Sequence, residues 1–316
     1  MTDIAENIEQ LYFDEVISCL GYDFNRFGTT SLSSTGGYEI DVNFGIERIG
    51  NDENFKPKEE TFVHFTSLKA LISILSEKSI RLYNINGTND ISDVTHYAKL
   101  FNLDNSIIQN YKDEVFIMSN CCSTILNSDD ELTLWRLYGN DGNGCCIEFE
   151  YSGDPYATNT HRYNINYVNN EKERLELFFK KHNEFNYNHK PYNINADKFI
   201  LDLAAFHKST NFKVEKEQRI YQRVYKTQSY NEIFFDFNSK NKQTSYIKLP
   251  LDYLENKTQL EKEVLIPKIK IKKIIFGHKN LSNKLNKNKE LEFYSKFFKS
   301  QSDLPNIEYS NLTNYN

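Results

Sequence analysis

Four short segments of this chain carry residue types suited to chemistry. The first is Val63-His64-Phe65-Thr66, a histidine set among strand-forming residues. An imidazole takes up and gives back a proton near neutral pH. The second is Asn89-Asp90 with Asp93, oxygen-bearing side chains in turn-forming company. The third runs Trp135-Arg136-Leu137-Tyr138-Gly139 and resumes at Gly144-Cys145-Cys146-Ile147-Glu148-Phe149. The fourth is Glu215-Lys216-Glu217-Gln218-Arg219, where two acids share one face if the segment is extended. Paired carboxylates of this kind can bind a hydroxyl or act as a general base. Each segment also has a plainer explanation: a hydrogen-bonded strand histidine, a turn leading to a helix cap, a buried tryptophan and an exposed acidic face.

Other familiar sites are missing. No glycine run fits a phosphate-binding loop or a dinucleotide fingerprint, and Gly142-Asn143-Gly144 is short and precedes a strand. There is no H-E-x-x-H, no C-x-x-C and no G-x-S-x-G. The five cysteines are Cys19 and the doublets Cys121-Cys122 and Cys145-Cys146. Neighbours on a strand point to opposite faces, so a doublet does not offer two thiols to one metal. Reduced, mostly buried thiols are expected.

Elements that would position these segments follow from periodicity. Ile4, Ile8, Leu11 and Tyr12 predict an amphipathic helix over 3–19. The Gly-, Ser- and Thr-rich stretch 21–58 predicts loops with a short strand near Tyr38–Phe44. Thr61–Thr66 reads as a strand, and Thr66 or Ser67 caps a helix with Leu68, Leu71, Ile72 and Leu75 on one face. Ile80–Tyr83 and Glu114–Ser119 read as strands, and Ser92–Leu100 as a helix. A helix capped by Asp129 or Asp130 carries Trp135 and Tyr138, and a strand follows at Cys145–Tyr151. Helices are expected near 170–182 and 196–208. Further strands are expected at 218–225, 232–237, 246–249, 264–266 and 269–277, then a helix near 283–298 and a strand near 307–310. Helices and strands alternate without a regular βαβ period, which predicts an α+β fold. One boundary is expected near residue 59, separating an extension (1–58) from a single α+β domain (59–316).

With 316 residues the chain can bury a real core. Its hydrophobic fraction is 39%, and 23 Phe and 21 Tyr supply much of that surface. A net charge of -6 gives no general attraction to nucleic acid. No run nears the ~20 apolar residues of a membrane span. The N-terminus, MTDIAENIEQ, lacks a basic start and an apolar run, so a cytoplasmic location is expected.

The order and spacing of the four segments resemble the domain-of-unknown-function 2971 family. The matching residues are His64, Phe65, Thr66, Asn89, Asp90, Ser119, Trp135, Tyr138, Gly139, Gly144, Glu148, Phe149, Glu215, Glu217 and Arg219. Ile274-Ile275-Phe276-Gly277 is similar to the family's late strand ending in glycine. The resemblance runs from about 61 to 280. The chain departs from it at Ile91-Ser92, where a proline is usual, at Gln218, and after Ser119, where an acid is often found.

That family is itself distantly similar to ADP-ribosyltransferases, and the resemblance implies their split mixed and antiparallel sheets with flanking helices. It implies NAD as the consumed cofactor and a macromolecular acceptor of unknown identity. By the same resemblance Glu217 contacts the 2′-hydroxyl of the nicotinamide ribose, and Glu215 completes a Glu-x-Glu pair; Arg219 is expected to pair with an acid, the alternative being a bidentate contact with a phosphate. His64 holds a ribose and Tyr83 packs on the nicotinamide; Thr66, Asn89 and Ser119 complete the NAD-binding set. A role as a bacterial toxin or antiphage effector is in keeping with the genes such proteins accompany. Two alternatives stay open. One is a non-catalytic nucleotide-binding sensor. The other is a metal-dependent, nuclease-like effector in which Asn89, Asp90, Asp93 and Glu148 supply oxygen ligands.

Overall fold

The computed structural model describes residues 2–21, 32–33, 38–41, 52–87, 103–126, 128, 131–152, 160–167, 171–224, 232–237, 242–251, 267–280, 287–298 and 304–312. In chain order the first elements are α1 (Thr2–Glu15), β1 (Leu32–Ser33), β2 (Tyr38–Asp41), β3 (Thr61–Thr66), α2 (Leu68–Glu77) and β4 (Ser79–Asn84). Next come α3 (Asn105–Glu114), β5 (Val115–Cys122), α4 (Glu131–Leu137), β6 (Cys145–Ser152), β7 (Thr160–Asn164) and β8 (Asn166–Tyr167). They are followed by α5 (Glu171–Asn188), β9 (Tyr192–Asn195), α6 (Asp197–Ala204), β10 (His207–Lys208) and β11 (Glu217–Arg223). The last are β12 (Phe234–Phe237), β13 (Gln243–Pro250), β14 (Lys268–Phe276), α7 (Lys287–Ser295) and β15 (Asn306–Tyr309). The expected helix over Ser92–Leu100 and the strand at 264–266 lie outside the described residues.

The chain forms two compact units, each assembled from three stretches. One takes Met1–Lys56, Asn84–Val115 and Tyr163–Lys213; the other takes Pro57–Tyr83, Phe116–Arg162 and Val214–Asn316. One boundary is expected near residue 59. The structure has a junction close by, at Lys56/Pro57, and groups 84–115 and 163–213 with the N-terminal stretch.

In the first unit β1 pairs antiparallel with β2, and β2 pairs parallel with β9. The predicted N-terminal helix is present as α1, followed by a 3-10 turn, Ile17–Leu20, that ends at Gly21 with φ 69°. Tyr12 is fully buried on α1, meets Phe185 edge-on at 5.2 Å and lies 2.7 Å from His182 Nδ1. Burial pushes the Tyr12 phenol well up.

The second unit is built on a mixed sheet of ten strands. Its main path is β12-β13-β4-β5-β3-β6-β14-β15, and β11 pairs with β5 and β7. The β3–β6 and β6–β14 pairs are antiparallel, whereas β14–β15 is parallel. Alternation along the strands feeds two apolar clusters. Phe62 joins Leu82, Phe116, Met118, Ile147, Phe149 and Ile220 in the larger one. Val63 and Phe65 join Cys121, Trp135, Cys146 and Ile275 in the smaller one. Covered on both faces, the central strands read as near-continuous apolar runs. Phe62 and Phe149 stack at 5.1 Å, and burial of each ring is worth roughly 1.5–3 kcal/mol. Ser67 caps α2, its hydroxyl accepting from the Ala70 amide at 3.2 Å. Lys78, at φ 51°, ends α2 and turns the chain directly into β4.

All five cysteines are free thiols; Cys121, Cys145 and Cys146 are buried. Among the described residues, no helix is long and apolar enough to cross a membrane.

Candidate functional site: a buried acid pair beneath Tyr138

Glu215 ends a 3-10 turn, Thr210–Glu215, and Glu217 begins β11. Between them Lys216 adopts φ 42°, a left-handed conformation that is uncommon for a residue with a side chain. The segment is thus not extended through the pair, so the condition for the two acids to share one strand face is not met. The kink still buries both acids: Glu215 is 6% exposed and Glu217 5%. Lys216 O accepts from the Cys122 amide at 2.9 Å, which ties the kink to the end of β5.

Each acid has a resident donor. Tyr138 Oη donates to Glu215 Oε1 at 2.6 Å. Arg219 Nε donates to Glu217 Oε1 at 2.8 Å, an ion pair with both side chains buried. The Tyr138 phenol is pushed well above its ordinary value by burial first, then by Glu215, Glu217 and Cys121. These four side chains therefore share one electrostatic neighbourhood. Tyr138 itself is 45% exposed, so the hydroxyl on the buried acid belongs to a ring that reaches solvent.

Helix α4 holds Tyr138 in place. Trp135 is fully buried, donates from Nε1 to Glu131 Oε1 at 3.0 Å and meets Phe65 edge-on at 5.0 Å. Gly139, whose amide approaches the Leu134 and Trp135 carbonyls, closes the helix one residue beyond Tyr138. The glycines that follow are packing devices. A Cβ on Gly144 would stand 2.1 Å from Thr66 O, and one on Gly277 would stand 2.2 Å from Gly142 O. The ends of β3, β6 and β14 meet here backbone to backbone. Thr66, expected among the NAD-binding residues, sets its carbonyl against Gly144.

His64 and Ser119 are brought together, but through the main chain: His64 Nδ1 lies 3.3 Å from Ser119 O, while the Ser119 side chain is exposed. Burial lowers the His64 pKa to about 4, with the Ser119 carbonyl and the Asn120 side chain partly offsetting it. Tyr83 joins a different group. Its ring is 5.6 Å from Tyr246, whose other neighbours are Phe234 at 5.4 Å and the Arg81 guanidinium at 4.5 Å. Alternation puts Tyr83 on the side of β4 away from Ile80 and Leu82. Asn89, with Asp90 and Asp93, lies outside the described residues. Glu148 is 3.8 Å from Lys273 Nζ. Among the described residues no group of His, Cys, Asp and Glu is placed to hold a metal ion.

Tyr138 is a site residue to which the sequence assigns no chemical role. Its spacing from Trp135 signals a shared helix; its partner, 77 positions further on, leaves no local trace. A cavity of about 680 Å³ lies in the first unit, lined among others by Asp104, Glu176, His182 and Asp197, and includes none of the expected site residues.

Residues 134–220 match the model of the family described as "Protein of unknown function (DUF2971)". The matched span takes in Trp135, Tyr138, Glu215, Glu217 and Arg219, and so the whole acid-pair site. His64, Tyr83 and Ser119 precede it. No curated protein and no solved structure matches the chain.

Proposed function

We propose that the chain is an NAD-consuming, ADP-ribosyltransferase-like protein that modifies a protein or nucleic acid, or hydrolyses NAD outright. A toxin or antiphage role suits such an activity. The observation that carries the reading is the buried Glu215–Glu217 pair, with the partly exposed Tyr138 hydrogen-bonded to Glu215. Cleaving the bond between nicotinamide and C1′ of the ribose sends the bonding pair out with nicotinamide and builds positive charge on the sugar. Glu217, accepting the 2′-hydroxyl, binds more strongly as that charge grows. Glu215 takes the proton of the attacking water or acceptor hydroxyl as its oxygen bonds to C1′. Arg219 orients Glu217 through the Nε hydrogen bond to its Oε1.

The resident donors favour a second reading, a nucleotide-binding sensor without turnover, because both acids are already engaged by Tyr138 and Arg219. Incubation with NAD and candidate acceptors separates the two. Release of nicotinamide that stops in Glu217→Gln supports the enzyme. Calorimetric binding of NAD without product supports the sensor, and NAD left both intact and unbound removes both readings.

A further inference from the structure

The His64 site contains a buried polar group that the reading above does not use. Phe116, Met118 and Asn120 alternate along β5 on the side that packs with Phe62. His64 lies two residues beyond Phe62 on β3, on that same side. The contact of His64 Nδ1 with Ser119 O places the imidazole beside residues 119–120. Asn120 is 3% exposed. Its Nδ2 donates to Met118 O at 2.9 Å, which fixes which end of the amide is nitrogen. Its Oδ1 is buried and carries no well-formed hydrogen bond among the described residues. A buried acceptor left in this way calls for an explanation.

The His64 ring supplies one. A carbonyl only accepts, so the nitrogen facing Ser119 O carries the ring proton. We propose that Asn120 is a positioning residue for His64: its Oδ1 shares the Nδ1 proton with the Ser119 carbonyl and fixes the tautomer, so that the Nε2 lone pair is presented to a hydroxyl of the ligand. That ligand is a ribose, on the NAD reading given above. Burial that keeps the imidazole neutral serves the same end, since an imidazolium has no lone pair to offer.

The test is nitrogen-15 NMR of the histidine rings in the ligand-free protein, with Asn120→Asp and Asn120→Ser beside wild type. His64 is one of seven histidines, and its signals are assigned by their loss in His64→Gln. Wild type is expected to show protonated Nδ1 and bare Nε2. Asn120→Asp, which sets a carboxylate beside the ring, is expected to raise the His64 pKa by at least about one unit. Asn120→Ser, too short to reach the ring, is expected to give mixed tautomers and, with NAD as the probe, two- to tenfold weaker binding, roughly the weight of one hydrogen bond. A wild-type ring protonated on Nε2, or a folded Asn120→Asp protein whose His64 titrates as in wild type, overturns the proposal. Should Asn120→Asp fail to fold, an unchanged tautomer in Asn120→Ser overturns it instead. If the tautomer and its shifts are found but NAD does not bind, the NAD reading alone fails.

Discussion

The Tyr138 hydroxyl sits 2.6 Å from Glu215 Oε1, so a half-exposed ring is anchored by an acid that solvent barely reaches. A hydrogen bond to a charged acceptor is worth about 1.5–3 kcal/mol, and partial exposure of the ring lowers that. Tyr138→Phe is therefore expected to lose about 1–2 kcal/mol, measured by urea denaturation. Burial, reinforced by Glu215, also pushes the phenol well above its ordinary value. In Glu215→Gln the phenol should ionise more easily than in wild type while burial still holds it above its ordinary range, read as the ultraviolet difference from the same protein carrying Tyr138→Phe; an unmoved titration would separate Tyr138 from Glu215 in solution.

Glu217→Ala is an unsafe probe of activity taken alone. Truncating one member of a buried ion pair costs about 3–5 kcal/mol, because the remaining charge stays buried. Chemical denaturation should show a loss of that size in Glu217→Ala and a smaller one in Glu217→Gln, which keeps an oxygen for Arg219 Nε. Equal losses would mean that charge contributes little to the pair.

Acid should destabilise the fold through its histidines. Burial lowers His64 and His161 from 6.5 to about 4. Their unfolded forms take up protons first as pH falls, so the stability they contribute is present above pH 6.5 and lost toward pH 4. Each loss is on the order of 3 kcal/mol. Melting temperature should fall steadily between pH 7 and 4.5, and less steeply in His64→Gln. Parallel curves for the two proteins would show that His64 protonates freely within the fold.

Gly144→Ala should be among the most damaging of small substitutions. The added carbon would meet Thr66 O, a backbone atom that cannot step aside, and a cost of at least about 3 kcal/mol is expected. Gly21→Ala makes a useful control. Its φ is 69°, but the nearest atoms are 4.0 Å away on the Arg174 side chain, so only the left-handed backbone penalty of roughly 1–2 kcal/mol applies. Comparable melting temperatures for the two variants would contradict the contact.

Local pattern made much of the second unit legible. The strand at 61–66, the Ser67 cap, the strand at 145–152 and the α4 helix around Trp135 all follow from alternation, capping and period. The strand Thr160–Asn164 did not announce itself. It is polar in sequence yet buried along most of its length, because Arg162 gives its guanidinium to the Glu59 and Glu60 carbonyls and lies over Phe62 and Tyr151. The site was half legible. Glu215 and Glu217 stood out as acids, but the left-handed Lys216 between them is a backbone state that residue type does not betray. Tyr138 meets its partner only through tertiary structure. His64 was visible as a histidine, whereas the carbonyl and amide beside it belong to a strand more than fifty residues away.

The chain passes from one unit to the other five times, at 56/57, 83/84, 115/116, 162/163 and 213/214. Neither unit is a continuous stretch, so neither can be excised by choosing two endpoints. The span that matches a known family, 134–220, begins and ends in one unit and borrows its middle from the other. It marks a shared run of sequence rather than an autonomous folding module. Dissection of this protein accordingly belongs to point substitution in the full chain, and shuffling the matched segment between relatives would exchange fragments of two cores at once.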